Sequence, residues 1–256
     1  MTTAPVVIIT GASRGIGRAI ALDVLKLGGK VMAVARSEAE LKKLQEEAAN
    51  PESVAYLVGD LTEDAVVKKV VEETISNFGR VTSVVLNAGV IEPVKSIATS
   101  SIEEWKKLFD INFFSVLSLV QQSLPHLRKT KGNLVMVSSG AGYKAYEGWS
   151  AYCCSKAAIN MLALSVSKEE TDVKSIAVRP GAVDTDMQKT IRELGVGNMA
   201  EYDYSRFVTM KTTSTLVKPE DCGYVMAKLA VQGVPADLNG EFVSWDDVAL
   251  KDYRRE

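Results

Sequence analysis

A single α/β domain, three layers deep around a doubly wound parallel sheet of about seven strands, is the fold this sequence predicts. Three observations carry it. Short Val/Ile runs alternate with amphipathic helical segments, the order that builds parallel strands joined by helical crossovers. A glycine-rich turn follows the first run directly and opens the first helix. The chain has 256 residues, 46% hydrophobic and 24% charged, without internal repeats or a domain-length linker, which suits one core better than two.

Each element follows from its own pattern. Val6 to Thr10 is a short apolar run, as a strand buried on both faces requires, and it ends in a glycine turn. Over 15–27, Ile16, Ile20, Val24 and Leu27 share one helical face. Residues 31–34 form a second buried strand, about 38–49 a charged helix, and 54–58 a third strand. Between 63 and 75, Val66, Val67, Val70, Val71 and Ile75 draw a core-facing stripe. Strands at 81–86 and 134–137 flank a long helix expected over about 102–124, which Pro125 should end. A helix over about 150–169 precedes a strand at 175–178. Residues 185–217, rich in Met and Thr, read as a loose stretch placed to act as a lid. A helix near 219–232 and a strand at 241–243 follow.

Bulk charge excludes some partners. A formal net charge of −2 offers no electrostatic attraction to nucleic acid or an anionic membrane. No apolar run approaches the ~18 residues of a membrane span. The N-terminus runs straight into the first strand without a charged-then-apolar leader, and Cys153, Cys154 and Cys222 form no spaced framework. A cytoplasmic location is expected. The single histidine, His126, precludes a multi-histidine metal site, and no metal is expected. His126 sits where the long helix should end, a common place for a terminal-turn histidine. A serine nucleophile elbow fails at Ser139, because residue 137 is Val.

The turn Thr10-Gly11-Ala12-Ser13-Arg14-Gly15-Ile16-Gly17 points to a nucleotide. Gly11 permits a tight turn, the later glycines let backbone approach a pyrophosphate, and the free N–H groups of the helix start attract the anion. The second strand ends Ala33-Val34-Ala35-Arg36-Ser37, with no carboxylate before Glu38 to grip ribose hydroxyls. Arg36 and Arg14 instead offer two guanidiniums to a 2′-phosphate, which favours NADP(H) over NAD. Asp60, followed by Leu61, ends the third strand, where its carboxylate either accepts from an adenine amino group or caps the next helix. Asn87-Ala88-Gly89 ends the fourth strand with small residues that admit a cofactor and an asparagine able to tie strands together.

Tyr152 and Lys156 stand four residues apart on one helical face, with Ser139 thirteen positions before the tyrosine. A neighbouring ammonium should bring a phenol's pKa down from ~10, as proton transfer to a reduced carbonyl requires. The spacing alone is not diagnostic. Tyr224 and Lys228 repeat it, with Lys211 rather than a serine thirteen residues upstream.

Taken in order, the glycine turn, Asp60, Asn87-Ala88-Gly89, Asn112, Ser139, Tyr152/Lys156 and Pro180-Gly181 resemble the short-chain dehydrogenase/reductase family of single-domain type. The resemblance implies a Rossmann fold and these roles. Tyr152 is the general acid, Ser139 polarises the carbonyl, Lys156 binds the nicotinamide ribose and lowers the Tyr152 pKa, and Asn112 relays protons through water. Gly11, Ser13, Arg14, Gly15, Ile16, Gly17, Arg36, Ser37, Asp60, Leu61, Asn87, Ala88 and Gly89 hold the dinucleotide. Pro180, Gly181, Val183, Thr185 and Met187 complete the nicotinamide end with Tyr152 and Lys156.

Longer stretches, Glu92–Ile97, Phe109–Ser115, Gly148–Cys153 and Asp184–Gln188, are similar to the benzil reductase and sepiapterin reductase branches of that family. Both reduce vicinal dicarbonyls with NADPH. Sepiapterin reductase grips its pteridine with a C-terminal carboxylate; here Ser244 takes that position, with Asp246 and Asp247 nearby. That departure favours a 1,2-diketone substrate. Tyr143, Tyr146, Trp149, Pro93, Met187 and Ile191 are candidates for an aromatic slot, and with Ser139 and Tyr152 the selected substrate residues are Tyr146 and Trp149. The alternatives are sepiapterin reduction, another short-chain alcohol, ketone or steroid dehydrogenase, or a silent NADP-sensing regulator. The likeness also implies a homodimer or homotetramer, paired through the helices at about 102–124 and 150–169.

Overall fold

β1 (Val6–Thr10) lies inside the sheet, hydrogen-bonded on one side to β2 (Lys30–Ala35) and on the other to β4 (Ser83–Leu86). This is a computed structural model, and it describes residues 3–255. With β3 (Val54–Val58), β5 (Asn133–Val137), β6 (Lys174–Arg179) and β7 (Phe242–Ser244), the sheet has seven parallel strands in the order β3-β2-β1-β4-β5-β6-β7. Strand order reverses at β1, so the chain leaves β1 and β4 in opposite directions and a crevice opens beyond their carboxyl ends.

Side-chain alternation along β1 divides the interior. Val7 and Ile9 face one layer with α1 (Gly15–Lys26) and α9 (Pro219–Gln232). Ile8 faces the other, with α3 (Asp64–Phe78), α5 (Ser115–Thr130) and α6 (Ser150–Glu169). α2 (Glu38–Glu47) joins the first layer through Leu41 and Leu44. At the chain's end Arg255 makes two bonds, 2.9 and 2.7 Å, to the buried carboxylate of Asp23 on α1.

Three expectations are corrected. The segment 102–124 is not one helix: α4 (Ile102–Phe109) passes through a π-helical turn, Asp110–Phe114, into α5. Pro125 does not end α5, which runs on to Thr130. Buried Ser123 and Leu127 hold the helix to the sheet on both sides of the exposed proline, so packing outweighs the lost backbone bond. The stretch 185–217 is not loose. It folds into α7 (Asp186–Leu194), which buries Gln188 and Ile191, and α8 (Glu201–Thr212), which buries Phe207. Among the described residues no helix is long and apolar enough to cross a membrane.

Leu134, fully buried at the centre of the sheet, tests this core. Leu134→Ala is expected to lower unfolding free energy by about 2–5 kcal/mol, read from chemical denaturation, through lost transfer energy and a residual cavity.

Candidate active site

The glycine turn and the end of β4 are locked together. The Asn87 side-chain amide donates to the Thr10 carbonyl at 2.9 Å and the Gly11 carbonyl at 3.3 Å. The Thr10 hydroxyl accepts from the backbone N–H groups of Asn87 and Ala88 at 2.9 and 3.0 Å. Gly11 takes a left-handed φ of 65°, conformationally open to glycine. A Cβ on Gly17 would fall 2.3 Å from the Gly11 carbonyl and 2.5 Å from the Asn87 amide nitrogen. α1 therefore starts pressed against the turn. No side chain caps it and no acid occupies its first turn, which leaves its N–H groups to an anionic ligand.

A cleft of about 1400 Å³ runs from this helix start across the carboxyl edge of the sheet. Ser13, Arg14, Gly15 and Ile16 line it, as do Arg36, Ser37, Asp60, Leu61, Ala88 and Gly89. Pro180, Gly181, Val183, Thr185 and Met187 line its other end with Ser139, Tyr152 and Lys156. Gly17 and Asn112 do not line it; they sit buried behind the wall and shape it from there. The cradle has the length, the close backbone and the uncapped helix start that a dinucleotide requires.

Both arginines line the cleft and are exposed. Arg14 forms a 2.6 Å ion pair with Asp186 at the head of α7. Arg36 is exposed near Asp60. The Asp60 carboxyl is held below its usual value chiefly by the Thr62 backbone N–H, with the Thr62 hydroxyl and Arg36 adding to the effect against a counteracting burial. Arg36 is thus a guanidinium at the end of the second strand, beside Asp60.

At the reacting end the π-helical turn turns Asn112 inward, only 1% exposed. Its side chain accepts from Val90 N–H at 2.8 Å and donates to the Val90 carbonyl at 2.8 Å and the Ser155 hydroxyl at 3.2 Å. This fixes the floor under Gly89, where a Cβ would lie 3.7 Å from Lys156 Nζ. Lys156 Nζ donates to the Val137 carbonyl at 2.8 Å and lies 5.7 Å from the Tyr152 ring centre. The two side chains are neighbours, as the helical offset requires.

Their protonation departs from expectation. Burial pushes the Tyr152 hydroxyl up to about 12, with the Ser139 side chain pulling it partly back. Burial pushes the Lys156 ammonium down to about 8. The ammonium donates to the Val137 carbonyl, and burial is the largest influence on both groups. Tyr224 and Lys228 keep their spacing but line no part of this cleft; Lys228 Nζ donates to the Asp252 carbonyl at 2.7 Å.

One wall is aromatic. Trp149 occupies the N-cap position of α6, immediately ahead of the turn that carries Tyr152. Its ring stands edge-on to Tyr152 at 6.1 Å and 4.8 Å from Tyr146. Phe207, from α8, stacks on Trp149 at 5.2 Å. The sequence reading missed Phe207, because α8 exposes so much of its surface that no stripe marks it. Tyr143 is 88% exposed, and neither it nor Pro93 lines the cleft, whereas Met187 and Ile191 do. Ser244 and Asp246 reach the cleft together, bonded hydroxyl to carboxylate at 2.5 Å.

A reversed-order parallel sheet with a glycine cradle, a Tyr-Lys pair and a serine at its carboxyl edge defines a dinucleotide-dependent oxidoreductase. Residues 5–194 match the family model for short chain dehydrogenase, and the chain belongs to that family, whose members use a nicotinamide cofactor. It is 48% identical to an uncharacterized oxidoreductase of Schizosaccharomyces pombe, over 95% of this chain and 97% of that one. It is 43% identical to a benzil reductase ((S)-benzoin forming) of Saccharomyces cerevisiae, over 96% and 97% of the two chains. The crystal structure of a short chain dehydrogenase/reductase from Saccharomyces cerevisiae superposes with a TM-score of 0.95 at 44% identity, covering 98% of this chain and 100% of that one.

Lys156→Met tests the energetics. A depression from 10.5 to about 8 corresponds to roughly 3 kcal/mol of cost for holding the charge in the fold. The folded value lies below the unfolded one, so the cost is full below about pH 8 and fades as pH rises to 10.5. The cofactor-free variant is expected to be more stable than the parent at pH 7, by about 1–3 kcal/mol after losing the Val137 bond. That difference should shrink between pH 8 and 10.5 in denaturant titrations.

Proposed function

We propose that this protein is an NADPH-dependent carbonyl reductase that reduces one carbonyl of a benzil-like 1,2-diketone to a chiral hydroxyketone. The observation that carries the reading is the buried Tyr152–Lys156 pair in the cleft, beside an aromatic wall. The likeness to a benzil reductase supports the substrate class.

Gly11, Gly15 and the open start of α1 would hold the pyrophosphate, Asp60 the adenine, Arg36 and Ser37 the 2′-phosphate, and Pro180 to Met187 the nicotinamide. Bound there, the reduced nicotinamide supplies the hydride. Tyr152 gives its proton to the carbonyl oxygen, and Ser139 donates a hydrogen bond to the same oxygen. A phenol near 12 keeps its proton throughout the neutral range, and a lysine near 8 is still charged at pH 7. That combination is the one a reductive step needs: the acid is loaded, and a cation stands beside the phenolate it leaves. Asn112 keeps the backbone of its turn in place for a water that returns the proton.

α7 and α8 form the lid over this site. The exposed apolar side chains of Ile102, Phe114, Met161 and Leu164 on α4, the turn after it and α6 support a homodimer or homotetramer. Free Cys153, Cys154 and Cys222 support a cytoplasmic setting. Asp246 beside Ser244 keeps one carboxylate in the cleft, which makes sepiapterin the second substrate to assay.

Incubation with NADPH and benzil, followed by chiral chromatography, should yield one enantiomer of benzoin; an inert mixture would refute the substrate class. Tyr152→Phe is expected to lower kcat by ~10²-fold or more while NADPH binding survives. Near-normal turnover would move the acid elsewhere. NADPH should bind at least about tenfold tighter than NADH, and Arg36→Ala should remove most of that margin in calorimetric titrations.

A further inference from the structure

We infer that Phe207 is the lid-borne wall of the substrate slot and selects aryl-bearing over alkyl diketones, an inference that rests on the reductase reading above. Phe207 is the one fully buried residue of α8. It is 4% exposed, on a helix whose other side chains are half-buried or open. Its ring lies nearly parallel to Trp149, at 26° and 5.2 Å, and 6.2 Å from Tyr146. Trp149 meets Tyr152 edge-on at 88°. A continuous series of ring contacts therefore leads from the lid to the phenol that would deliver the proton.

α8 is also tied to its surroundings by the Tyr204 hydroxyl, which donates to the Arg192 carbonyl at 3.4 Å, by Tyr204 and Met210 packed at the edge of the same cluster, and by two ion pairs, Lys144–Asp203 at 3.6 Å and Lys211–Asp184 at 2.9 Å. Both lysines are about half exposed, and such pairs hold an element weakly in water. The stacked ring is the most deeply buried of these contacts. All four rings line the same cleft. Flat, rigid faces complement a planar aryl group and give a short alkyl group little to pack on. Trp149 is built into the start of α6, so its place is set by the helix that carries the reacting residues. Phe207 moves only with the lid, and by covering one face of Trp149 it fixes where that ring stands against Tyr152 when α8 is seated.

The test compares Phe207→Ala and Phe207→Leu with the parent enzyme, using benzil and 2,3-butanedione at saturating NADPH. The ratio of kcat/KM for benzil to that for butanedione is expected to fall about tenfold or more in both variants, mainly through KM for benzil. Phe207→Leu keeps more of the apolar bulk than alanine and removes the flat face, so it reports even where the alanine variant folds poorly. Phe207→Tyr, which restores the ring, should rescue the ratio, and the NADPH dissociation constant should not move in any variant. An equal loss on both substrates, or an unchanged ratio, overturns the assignment of Phe207 and leaves the reductase reading intact. A parent enzyme inert towards every diketone overturns both.

Discussion

The hydrogen bonds between Thr10 and Asn87 hold the carboxyl ends of β1 and β4 together, and the rest of the site is arranged around that junction. The two strands feed crossovers in opposite directions, so their tips would otherwise splay where backbone groups lose their ladder partners. The asparagine amide satisfies two of those carbonyls, and the threonine hydroxyl satisfies two of those N–H groups. Because these polar groups face one another, the crevice has a fixed mouth. The helix that presents its N–H groups to an anion starts at a set place, and Gly89 approaches Lys156 without a side chain between them.

Around this frame the fold spends stability on chemistry. A lysine and a tyrosine are both buried where neither ionises comfortably. The pair stays because α6 brings a residue inward every turn and because the Val137 carbonyl meets the ammonium. Two hydrophobic layers, one on each face of β1, supply the stability from which that cost is drawn. The same trade is visible at Gly17, where a single methyl group would collide with the turn.

How much of this was legible in the sequence depended on how local its cause was. β1, α1 and the glycine turn are written in consecutive residues, and so are α6 and the Tyr152–Lys156 offset. The break between α4 and α5 was not legible. Phe109 to Ser115 keep a helical composition, and the wider turn at Asp110–Phe114 arises where Asn112 is drawn onto both backbone groups of Val90, twenty-two residues earlier. Pro125 misled for the related reason that tertiary packing at Leu127 carries the helix through it. The ion pair between Arg14 and Asp186 was not legible either, because its two members stand far apart along the chain. α8 was hidden because one deeply seated residue makes no periodic stripe, and Phe207 was hidden with it.

Trp149 stands at the N-cap of α6, the helix that also carries Tyr152 and Lys156, so its ring and those two side chains are placed by one backbone segment. Phe207, stacked on Trp149, comes instead from α8, which shares no backbone segment with that helix. On the proposed reading, mutations in α8 would alter the surface a substrate meets while the side chains of α6 stay constant, a division of labour that would let one scaffold diversify without relearning its reaction.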